Sequence, residues 1–439
     1  MKELIHEKNI NFCLNETVHS SFSLMGHFSK SPKTKDILGG STGTLNYHDR
    51  IAEVKMTPEL TYTFGDDGAN FTVSNEEDYI IYGCLEDGIY VRFNIFQITR
   101  NVINIPAFSS AEYIVYDLDL SRHEFTSDNN SRYDHLIVTY DSLSEFGAFV
   151  VPNLMKEDKE NPPILIEENE DFNVCLTYEW KKFGNRVNFT VKTQVELEIR
   201  IKNRDSKINA FINNFGNFLS IINNSRINVT SVRYIDKENN VLRTHLFDGP
   251  HTERNGKTDY SYGISSEFNF EDYQNKLKQI THFIFTEDEK FDRLVQNYLY
   301  NIDDDLNLDS ALINYVNSID IYMNGCKYGD GHKIKGLYNK IVFWLRQFPS
   351  DLYGLCLDKS KQYTEDGKRK DFIQSLVDTR DYLTHFDKKN SSHLISHNAQ
   401  LTYIKQLRML LHIYILHTYG VPDNCILNYY HRFIFERIS

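Results

Sequence analysis

The chain has 439 residues and a formal charge of −13, with 41% hydrophobic and 25% charged residues. This length allows two or three domains with a substantial core, and the acidic balance argues against a protein that coats nucleic acid over its whole surface. The charge is uneven, because residues 301–439 contain 17 Lys and Arg against 16 Asp and Glu, so the acidic excess lies before them. Any contact with nucleic acid is therefore expected to be local.

Six scattered cysteines form no CxxC pair, which is typical of a reduced, cytoplasmic protein rather than a disulfide scaffold. The charged N-terminal segment lacks the apolar core of a signal peptide, and no run reaches the ~20 apolar residues of a membrane span. We therefore expect a cytoplasmic protein without membrane contact. Cys326, His332 and Cys356 could converge on a metal, but they include no closely spaced ligand pair, so we expect no metal and no cofactor.

Short segments rich in Val, Ile, Tyr and Phe follow one another from about His19 to Pro152, which predicts many antiparallel strands. Turn clusters such as Gly39-Gly40-Ser41 separate them, and this spacing is typical of an antiparallel sandwich or an open barrel. The predicted strands are SSFSLMGHF, GTLNYH, YIIYGCLE, IYVRFNIFQI, AEYIVYDL and EFGAFVV.

A polar run from Lys156 to Glu170 interrupts this pattern and could separate two β-rich subdomains. Residues 187–201 then alternate between apolar and polar, which predicts a long strand with one buried face. A helix capped by Ser206 follows, and its apolar stripe predicts packing on the sheet rather than a ligand surface. The stripe consists of Ile208, Phe211, Ile212, Phe215, Phe218, Leu219 and Ile222. We predict that the whole β-rich region covers residues 1–283.

Helical periodicity dominates from residue 284 onwards, which predicts an all-α bundle over residues 284–439. Thr286-Glu287-Asp288-Glu289 has the pattern of a capping box and predicts the start of a helix. Gly420 and Pro422 predict the end of another helix that begins near Gln400. The residues expected to face inward are Phe291, Leu294, Val295, Tyr298, Ile302, Leu312, Tyr315, Val316 and Ile319. The predicted fold class is therefore α+β, a large β-rich region with a packed helix followed by a helical bundle.

One predicted helix, over residues 371–386, carries an arginine where its apolar face predicts Leu or Ile. At about 100° per residue, Arg380 falls inside the apolar arc, and an unpaired buried guanidinium costs several kcal/mol. The arc comprises Phe372, Ile373, Leu376, Val377 and Leu383. His385 follows five residues after the arginine, with Asp381 one turn before it on nearly the same face. Arg380 must therefore be paired, hydrated or functional.

The segment TRDYLTHFD around this R-x4-H pattern resembles the motif of a HEPN domain of the ApeA type, a family of bacterial anti-phage proteins. The preceding segments FDRLVQNYL and SALINYVNSIDIY fit the helix pair of such a domain, and the N-terminal region fits the family more loosely. The resemblance implies a metal-independent endoribonuclease of abortive infection whose active site forms across a homodimer of the helical domains. It also implies cellular RNA, with transfer RNA as one candidate, as the substrate, and a phage-derived trigger at the N-terminal domain.

Arg380, His385 and Asp381 are the predicted catalytic residues. Arginine stays protonated and matches phosphate geometry, and histidine can transfer protons near neutral pH. Asp381 could accept an imidazole N–H and fix the orientation of the ring. Basic residues beside the motif helix are candidates for RNA contact, with a solvated basic loop as the equal alternative. These residues are Lys368, Arg369, Lys370, Lys388 and Lys389.

Other interpretations stay open on the sequence alone. The helical domain could be a catalytically silent dimerisation module, with the β-rich region sensing a ligand or a phage protein. Alternatively, the β-rich region could bind carbohydrate or another ligand, and the bundle could transmit that signal. For the motif itself, the structural alternative is that Arg380 pairs with a buried carboxylate and that His385 is a surface residue.

Overall fold

The computed structural model describes the chain over several ranges between residues 22 and 436. These ranges are 22–48, 51–57, 62–64, 71–73, 80–102, 110–125, 133–141, 143, 163–184, 189–203, 207–247, 270–286, 288–303, 307–349, 352, 368–385 and 394–436. Contacts divide the chain into two compact units. The first unit comprises Met1–Ser144, Glu160–Ser206 and Asn228–Lys257, and the second comprises Glu145–Lys159, Lys207–Ile227 and Thr258–Ser439.

The described part of the first unit consists of antiparallel strands and one short helix, α1 (Thr34–Leu38). The strands are β1 (Phe22–Ser29), β2 (Ser41–His48), β3 (Ile51–Thr57), β4 (Tyr62–Phe64), β5 (Phe71–Val73), β6 (Ile80–Leu85), β7 (Tyr90–Val102), β8 (Ser110–Ser121), β9 (His135–Tyr140), β10 (Ile164–Glu168), β11 (Phe172–Gly184), β12 (Phe189–Ile201), β13 (Val229–Ile235) and β14 (Val241–Leu246). Twelve of them form one sheet in the order β10-β11-β12-β9-β13-β14-β8-β3-β2-β1-β6-β7, while β4 pairs with β5.

Six strands of the large sheet close into a barrel, because β7 pairs with β8 as well as with β6. Strand periodicity explains its core. In β3, Ala52, Val54 and Met56 are buried, whereas Glu53 and Lys55 between them are exposed. The predicted β-rich N-terminal region is confirmed, and its barrel is closed rather than open.

Strand β8 joins the barrel to the remaining strands by changing its neighbour part-way along. On the edge opposite β7, Ala111–Val115 pair with β3, whereas Leu118–Ser121 pair with β14. Asp117 lies between these two stretches and has a φ of 52°, which is uncommon for a residue other than glycine. The backbone therefore departs from regular strand geometry where β8 changes partner.

A buried ion cluster lies at this junction. The side chain of Asp119 is fully buried, and its carboxylate accepts a hydrogen bond from Arg243 Nη2 at 2.8 Å and lies 2.8 Å from His245 Nδ1. Burial alone would raise the pKa of Asp119, but His245 and Arg243 together hold this pKa below its ordinary value. The carboxylate is therefore kept charged and compensated inside the sheet.

Part of the predicted interdomain run belongs to the sheet. Residues Ile164–Glu168 form β10 at its edge and pair with β11, so this stretch is a strand rather than a linker. The long strand predicted over residues 187–201 is present as β12, with Val195, Leu197 and Ile199 buried. The predicted strand EFGAFVV and the predicted cap Ser206 lie outside the described residues.

The second unit is helical over its described residues, as predicted for the C-terminal part. Its helices are α2 (Ile208–Asn223), α3 (Phe270–Thr286), α4 (Glu289–Asp303), α5 (Leu308–Tyr322), α6 (Leu337–Leu345), α7 (Lys368–His385), α8 (His397–Thr418) and α9 (Asp423–Glu436). Eight of the nine residues expected to face inward on the predicted bundle helices are buried, and the ninth, Ile302, is only partly buried near the end of α4. Within the described ranges, no helix has both the length and the apolar character needed to cross a bilayer.

Helix α2 is grouped with the helices rather than with the sheet. All seven residues of its predicted apolar stripe are buried, and the helix contacts α3, α4 and α8. The two compact units therefore do not follow a single cut in the chain. The domain limits expected from the sequence, residues 1–283 and 284–439, stay a prediction.

The first bundle helix begins two residues later than the predicted capping box. Thr286 ends α3, and its hydroxyl donates to the carbonyl oxygen of Phe283 at 3.0 Å. Asp288 instead accepts hydrogen bonds from the backbone N–H groups of Lys290, at 2.9 Å, and Phe291. Asp288 therefore caps α4, because the preceding helix already includes Thr286.

His412 on α8 is a buried structural residue of the helical unit. Its Nε2 lies 2.7 Å from the carbonyl oxygen of Ile221, which can only accept, so Nε2 carries the proton and Nδ1 accepts from the hydroxyl of Tyr430. The ring stacks on Tyr298 with a centroid distance of 5.6 Å. Burial lowers the pKa of His412 from 6.5 to about 4, and the charge of Arg408 acts in the same direction. The imidazole is therefore neutral in the folded protein near neutral pH.

We predict a component of acid sensitivity that depends on His412. The folded pKa of about 4 lies below the ordinary 6.5, so the unfolded chain binds more protons between these pH values. The stability contributed by neutral His412 is thus fully present above the unfolded pKa of 6.5 and is lost as pH falls to the folded pKa of about 4. The free energy of unfolding falls by roughly 3 kcal/mol over this range. Urea unfolding followed by circular dichroism gives the free energy of unfolding at each pH in this range. This free energy should depend more steeply on pH in the parent protein than in His412→Gln. Equal slopes in the two proteins would contradict the prediction.

Candidate active site

Helix α7 carries the Arg380–His385 motif on its C-terminal half. Phe372, Ile373 and Leu376 of the predicted apolar arc are buried, whereas its other two members, Val377 and Leu383, are only partly buried. The side chain of Arg380 is 21% exposed, so it lies mostly within the unit, as its place in the arc predicts. Two other helices approach α7 here, namely α5 and α6. The guanidinium is therefore surrounded by residues of three helices.

Arg380 is paired within its own chain. Its Nε donates to Asn317 Oδ1 on α5 at 3.0 Å, and its Nη1 donates to Asp381 Oδ1 at 2.8 Å. Its Nη2 lies 3.8 Å from Asp320 Oδ2, which is an ion-pair distance but too long for a hydrogen bond. The sequence shows no evident partner for this arginine, and the structure supplies three.

The guanidinium nevertheless keeps donors for a ligand. Arginine has five N–H groups, and hydrogen bonds to Asn317 and Asp381 use one on Nε and one on Nη1. Within the described part of the chain, the other three N–H groups of Arg380 make no hydrogen bond. A phosphate oxygen can therefore bind Arg380 without first removing the Asn317 contact.

Lys340 on α6 brings a second cation to the same carboxylate. Its Nζ donates to Asp320 Oδ1 at 2.6 Å and to the backbone carbonyl oxygen of the same residue at 3.3 Å. The side chain of Lys340 is 13% exposed and that of Asp320 is 29% exposed, so solvent screens this ion pair only in part. Asp320 therefore lies between Lys340 and Arg380, with one carboxylate oxygen towards each.

His385, the last residue of α7, is exposed. Among the described residues it makes no hydrogen bond, and Asp381, which was expected to orient it, instead accepts a hydrogen bond from Arg380 Nη1. The Asp381 side chain is 44% exposed and is thus accessible to solvent. In the single chain, hydrogen bonds position the arginine that is predicted to bind phosphate, whereas none among the described residues positions the histidine that is predicted to transfer a proton.

The backbone around the motif is held by buried polar contacts. The hydroxyl of Thr379 is buried and accepts a hydrogen bond from the backbone N–H of Ile395 at 2.9 Å. Asp378, also buried, accepts from Gln374 Nε2 at 2.8 Å. These contacts fix the turn of α7 that precedes Arg380, so the arginine is presented from a rigid segment.

The predicted RNA-contacting residues are only partly described. Lys368, Arg369 and Lys370 form the first turn of α7, but the positions of their side chains are outside the description. Lys388 and Lys389 lie outside the described residues altogether. Their contribution to RNA binding stays a prediction.

The three residues considered for a metal are not seen together. Cys356 lies outside the described residues, and His332 is an exposed residue whose Nδ1 is 3.2 Å from Asp330 Oδ1. Among the described residues, no group of three or more His, Cys, Asp or Glu side chains is placed to hold a metal ion.

Sequence reasoning missed Asn317, Asp320 and Lys340. Asn317 and Asp320 are spaced i, i+3 on α5, beside an apolar face that includes Val316 and Ile319. Two polar residues one turn apart, at the margin of a buried face, are the pattern that could have indicated a polar partner for Arg380. Lys340, on a different helix, had no such signal because its proximity arises from packing alone.

A comparison with protein-family models matches the part of the chain that contains these helices and the Arg380–His385 motif. A family model described as Apea-like HEPN matches residues 254–425, less than half of the chain. The match includes helices α3 to α8 and therefore the whole Arg380–His385 motif. No curated protein and no solved structure matches the chain. Residues 254–425 are thus an Apea-like HEPN domain.

Proposed function

We propose that the protein is an anti-phage abortive-infection endoribonuclease that cleaves cellular RNA without a metal ion, with transfer RNA as a candidate substrate. The observation that carries the proposal is the presence of two groups on one helix of an Apea-like HEPN domain. Arg380 is held by hydrogen bonds yet keeps three N–H donors without a partner among the described residues, and His385 is exposed. Arginine suits a phosphate and histidine suits proton transfer near neutral pH.

The proposed reaction is attack of a ribose 2′-oxygen on the adjacent phosphorus. A base removes the 2′-hydroxyl proton, the new P–O2′ bond forms, the P–O5′ bond breaks, and an acid protonates the leaving O5′. The products are a 2′,3′-cyclic phosphate and a 5′-hydroxyl. Arg380 would bind the phosphate and stabilise the added negative charge, and His385 would transfer a proton. When the phosphate takes the place of Asp381 at Arg380, this carboxylate becomes available one turn before His385 to orient the imidazole.

A homodimer through the helical domain is part of this proposal. One chain supplies one histidine at the site, whereas the reaction needs both a base and an acid. A two-fold axis beside α7 would bring a second Arg380 and a second His385 to the same phosphate. The exposure of His385 supports this arrangement, because the side chain is available to a partner or to RNA. A phage-derived trigger at the N-terminal region stays a further prediction.

One observation favours a catalytically silent alternative. Arg380 already pairs with Asn317 and Asp381 in its own chain, and His385 makes no hydrogen bond among the described residues. The helical domain would then be a dimerisation module for a sensing β-rich region. Direct assays of RNA cleavage separate the two functions.

We predict that Arg380→Ala and His385→Ala each lower RNA cleavage by the purified protein at least about 100-fold, because each removes a transition-state interaction. The assay follows labelled RNA and identifies the chain ends of its products. Arg293→Ala and His332→Ala are matched controls on exposed residues of the same unit and should keep full activity.

Circular dichroism should show that all four variants remain folded. Full cleavage by either Arg380→Ala or His385→Ala would contradict the catalytic assignment. A 3′-hydroxyl at the cut site itself would contradict the proposed chemistry even if both variants were inactive.

We also predict that EDTA leaves the cleavage rate unchanged, because His385 and Arg380 supply the proton transfer and the charge stabilisation. The measurement compares initial rates before and after chelation and after addition of a divalent ion. An EDTA-sensitive rate that Zn²⁺ or Mg²⁺ restores would instead indicate a metal site, with Cys326, His332 and Cys356 as the first residues to test.

The dimeric site predicts complementation between inactive subunits. In a mixed dimer of Arg380→Ala and His385→Ala chains, the shared site keeps one arginine and one histidine, which come from different chains, whereas the dimer of either variant alone lacks one of these residue types altogether. Mixing the two inactive proteins should therefore restore part of the activity of the parent protein. A fully active monomer at nanomolar concentration would exclude the arrangement.

A further inference from the structure

The carboxylate of Asp320 holds two cations from two different helices. Lys340 on α6 contacts Oδ1 at 2.6 Å, and Arg380 on α7 lies 3.8 Å from Oδ2. Both cations therefore lie on one carboxylate, although their positions are 40 residues apart in the sequence. Packing of α5, α6 and α7 alone creates this arrangement.

The side chains of Asp320, Lys340, Arg380 and Asp381 form one cluster of two cations and two carboxylates. Its charges balance only while Asp381 remains with Arg380. Asp381 is the most exposed of the four side chains, at 44%, and it is the residue expected to turn towards His385. Without it, two cations share one carboxylate, and the cluster carries one excess positive charge. A phosphate diester carries the single negative charge that would compensate it.

Lys340 also has a donor available for such an anion. Both of its hydrogen bonds go to Asp320, one to the carboxylate and one to the backbone carbonyl oxygen. An ammonium has three N–H donors, so within the described residues one donor of Lys340 remains without a partner. Among the described residues, Arg380 likewise has three N–H groups without a partner. Lys340 and Arg380 can therefore contact different oxygens of one phosphate, or two neighbouring phosphates.

We propose that Lys340 is a second phosphate-binding residue of the Arg380 site and that Asp320 positions it for this role. The inference rests on the proposed ribonuclease function and extends it, because it assigns RNA backbone binding to a residue outside the R-x4-H motif. Asp320 holds the long side chain of Lys340 beside the guanidinium. Because this side chain is already ordered, RNA binding does not incur the entropic cost of immobilising it.

Binding of RNA tests this role separately from cleavage. The His385→Ala protein, which retains both cations, is titrated into fluorescein-labelled mixed transfer RNA, and affinity is measured over a range of salt concentrations. The same protein with Lys340→Met added should bind RNA roughly five- to twentyfold more weakly. The slope of log affinity against log salt concentration should fall in magnitude by roughly 0.7 to 0.9, as expected for the loss of one phosphate contact. Lys340→Arg should retain most of the affinity, because it keeps the charge and the donors.

A matched control separates the contact from the general charge of the surface. Lys335 lies on the exposed segment five residues before Lys340, and Lys335→Met removes the same charge. Its affinity for RNA should change less than twofold. An equal loss in Lys335→Met and Lys340→Met would overturn the proposal, because it would show long-range electrostatics only.

A second variant excludes a purely structural role. Lys340→Met leaves Asp320 without its main partner and could disturb the helices, whereas Lys340→Met combined with Asp320→Asn removes both charges of the pair. If Lys340 contacts RNA, the combined variant still binds weakly. Recovery of affinity in the combined variant would show that Lys340 acts only by neutralising Asp320.

Arg380→Ala in the His385→Ala protein distinguishes the role of Lys340 from the proposed ribonuclease function. Weak binding by Arg380→Ala together with unchanged binding by Lys340→Met would overturn the role of Lys340 and leave the proposed function intact. Undetectable binding by the His385→Ala protein itself, or unchanged binding by Arg380→Ala, would overturn both.

Discussion

The arrangement of the helical unit depends on how one cation is compensated. Arg380 lies on the core-facing side of α7, and a guanidinium placed there without partners would cost several kcal/mol. Asn317 from α5 satisfies its Nε, and the carboxylates of Asp381 and Asp320 supply negative charge. Lys340 from α6 then compensates Asp320. Residues of three helices thus meet at this point, and a change in their packing would separate Asp320 from Lys340 and Arg380.

A related constraint shapes the first unit. Strand β8 pairs with β7 along one edge and divides the other edge between β3 and β14. The ion cluster of Asp119, Arg243 and His245 bridges β8 and β14 just beyond the point of change. A buried charged group of this kind contributes little net stability but strongly disfavours arrangements that leave it unpaired. It therefore favours the register in which the barrel continues into the second set of strands.

The candidate site combines rigidity and accessibility in different residues. Arg380 is held on a segment fixed by Thr379 and Asp378, so its guanidinium is positioned before any ligand arrives. His385 is exposed at the end of the same helix. This division suits the proposed dimeric site, in which the positioned Arg380 would bind the phosphate and the exposed His385 would adapt to it.

The sequence by itself determined the element types, the order of β-rich and helical parts, and the position of the R-x4-H motif. These features follow from local periodicity and short-range chemistry: alternation in β12, the apolar stripe of α2 and the core-facing place of Arg380 are each contained within one segment. The predicted cap at Thr286 was wrong, because Asp288 also suits the start of a helix and only the length of α3 decides between the two residues.

Tertiary structure alone decided the closure of the barrel, the grouping of α2 with the helices, and the partners of Arg380. Barrel closure depends on the second pairing of β7 with β8, which no local pattern specifies. Asn317 and Lys340 lie 63 and 40 positions away from the arginine that they help to place. Such proximity is set by the packing of whole helices, since the free energy of compensating a buried charge is realised only when all of its partners are assembled.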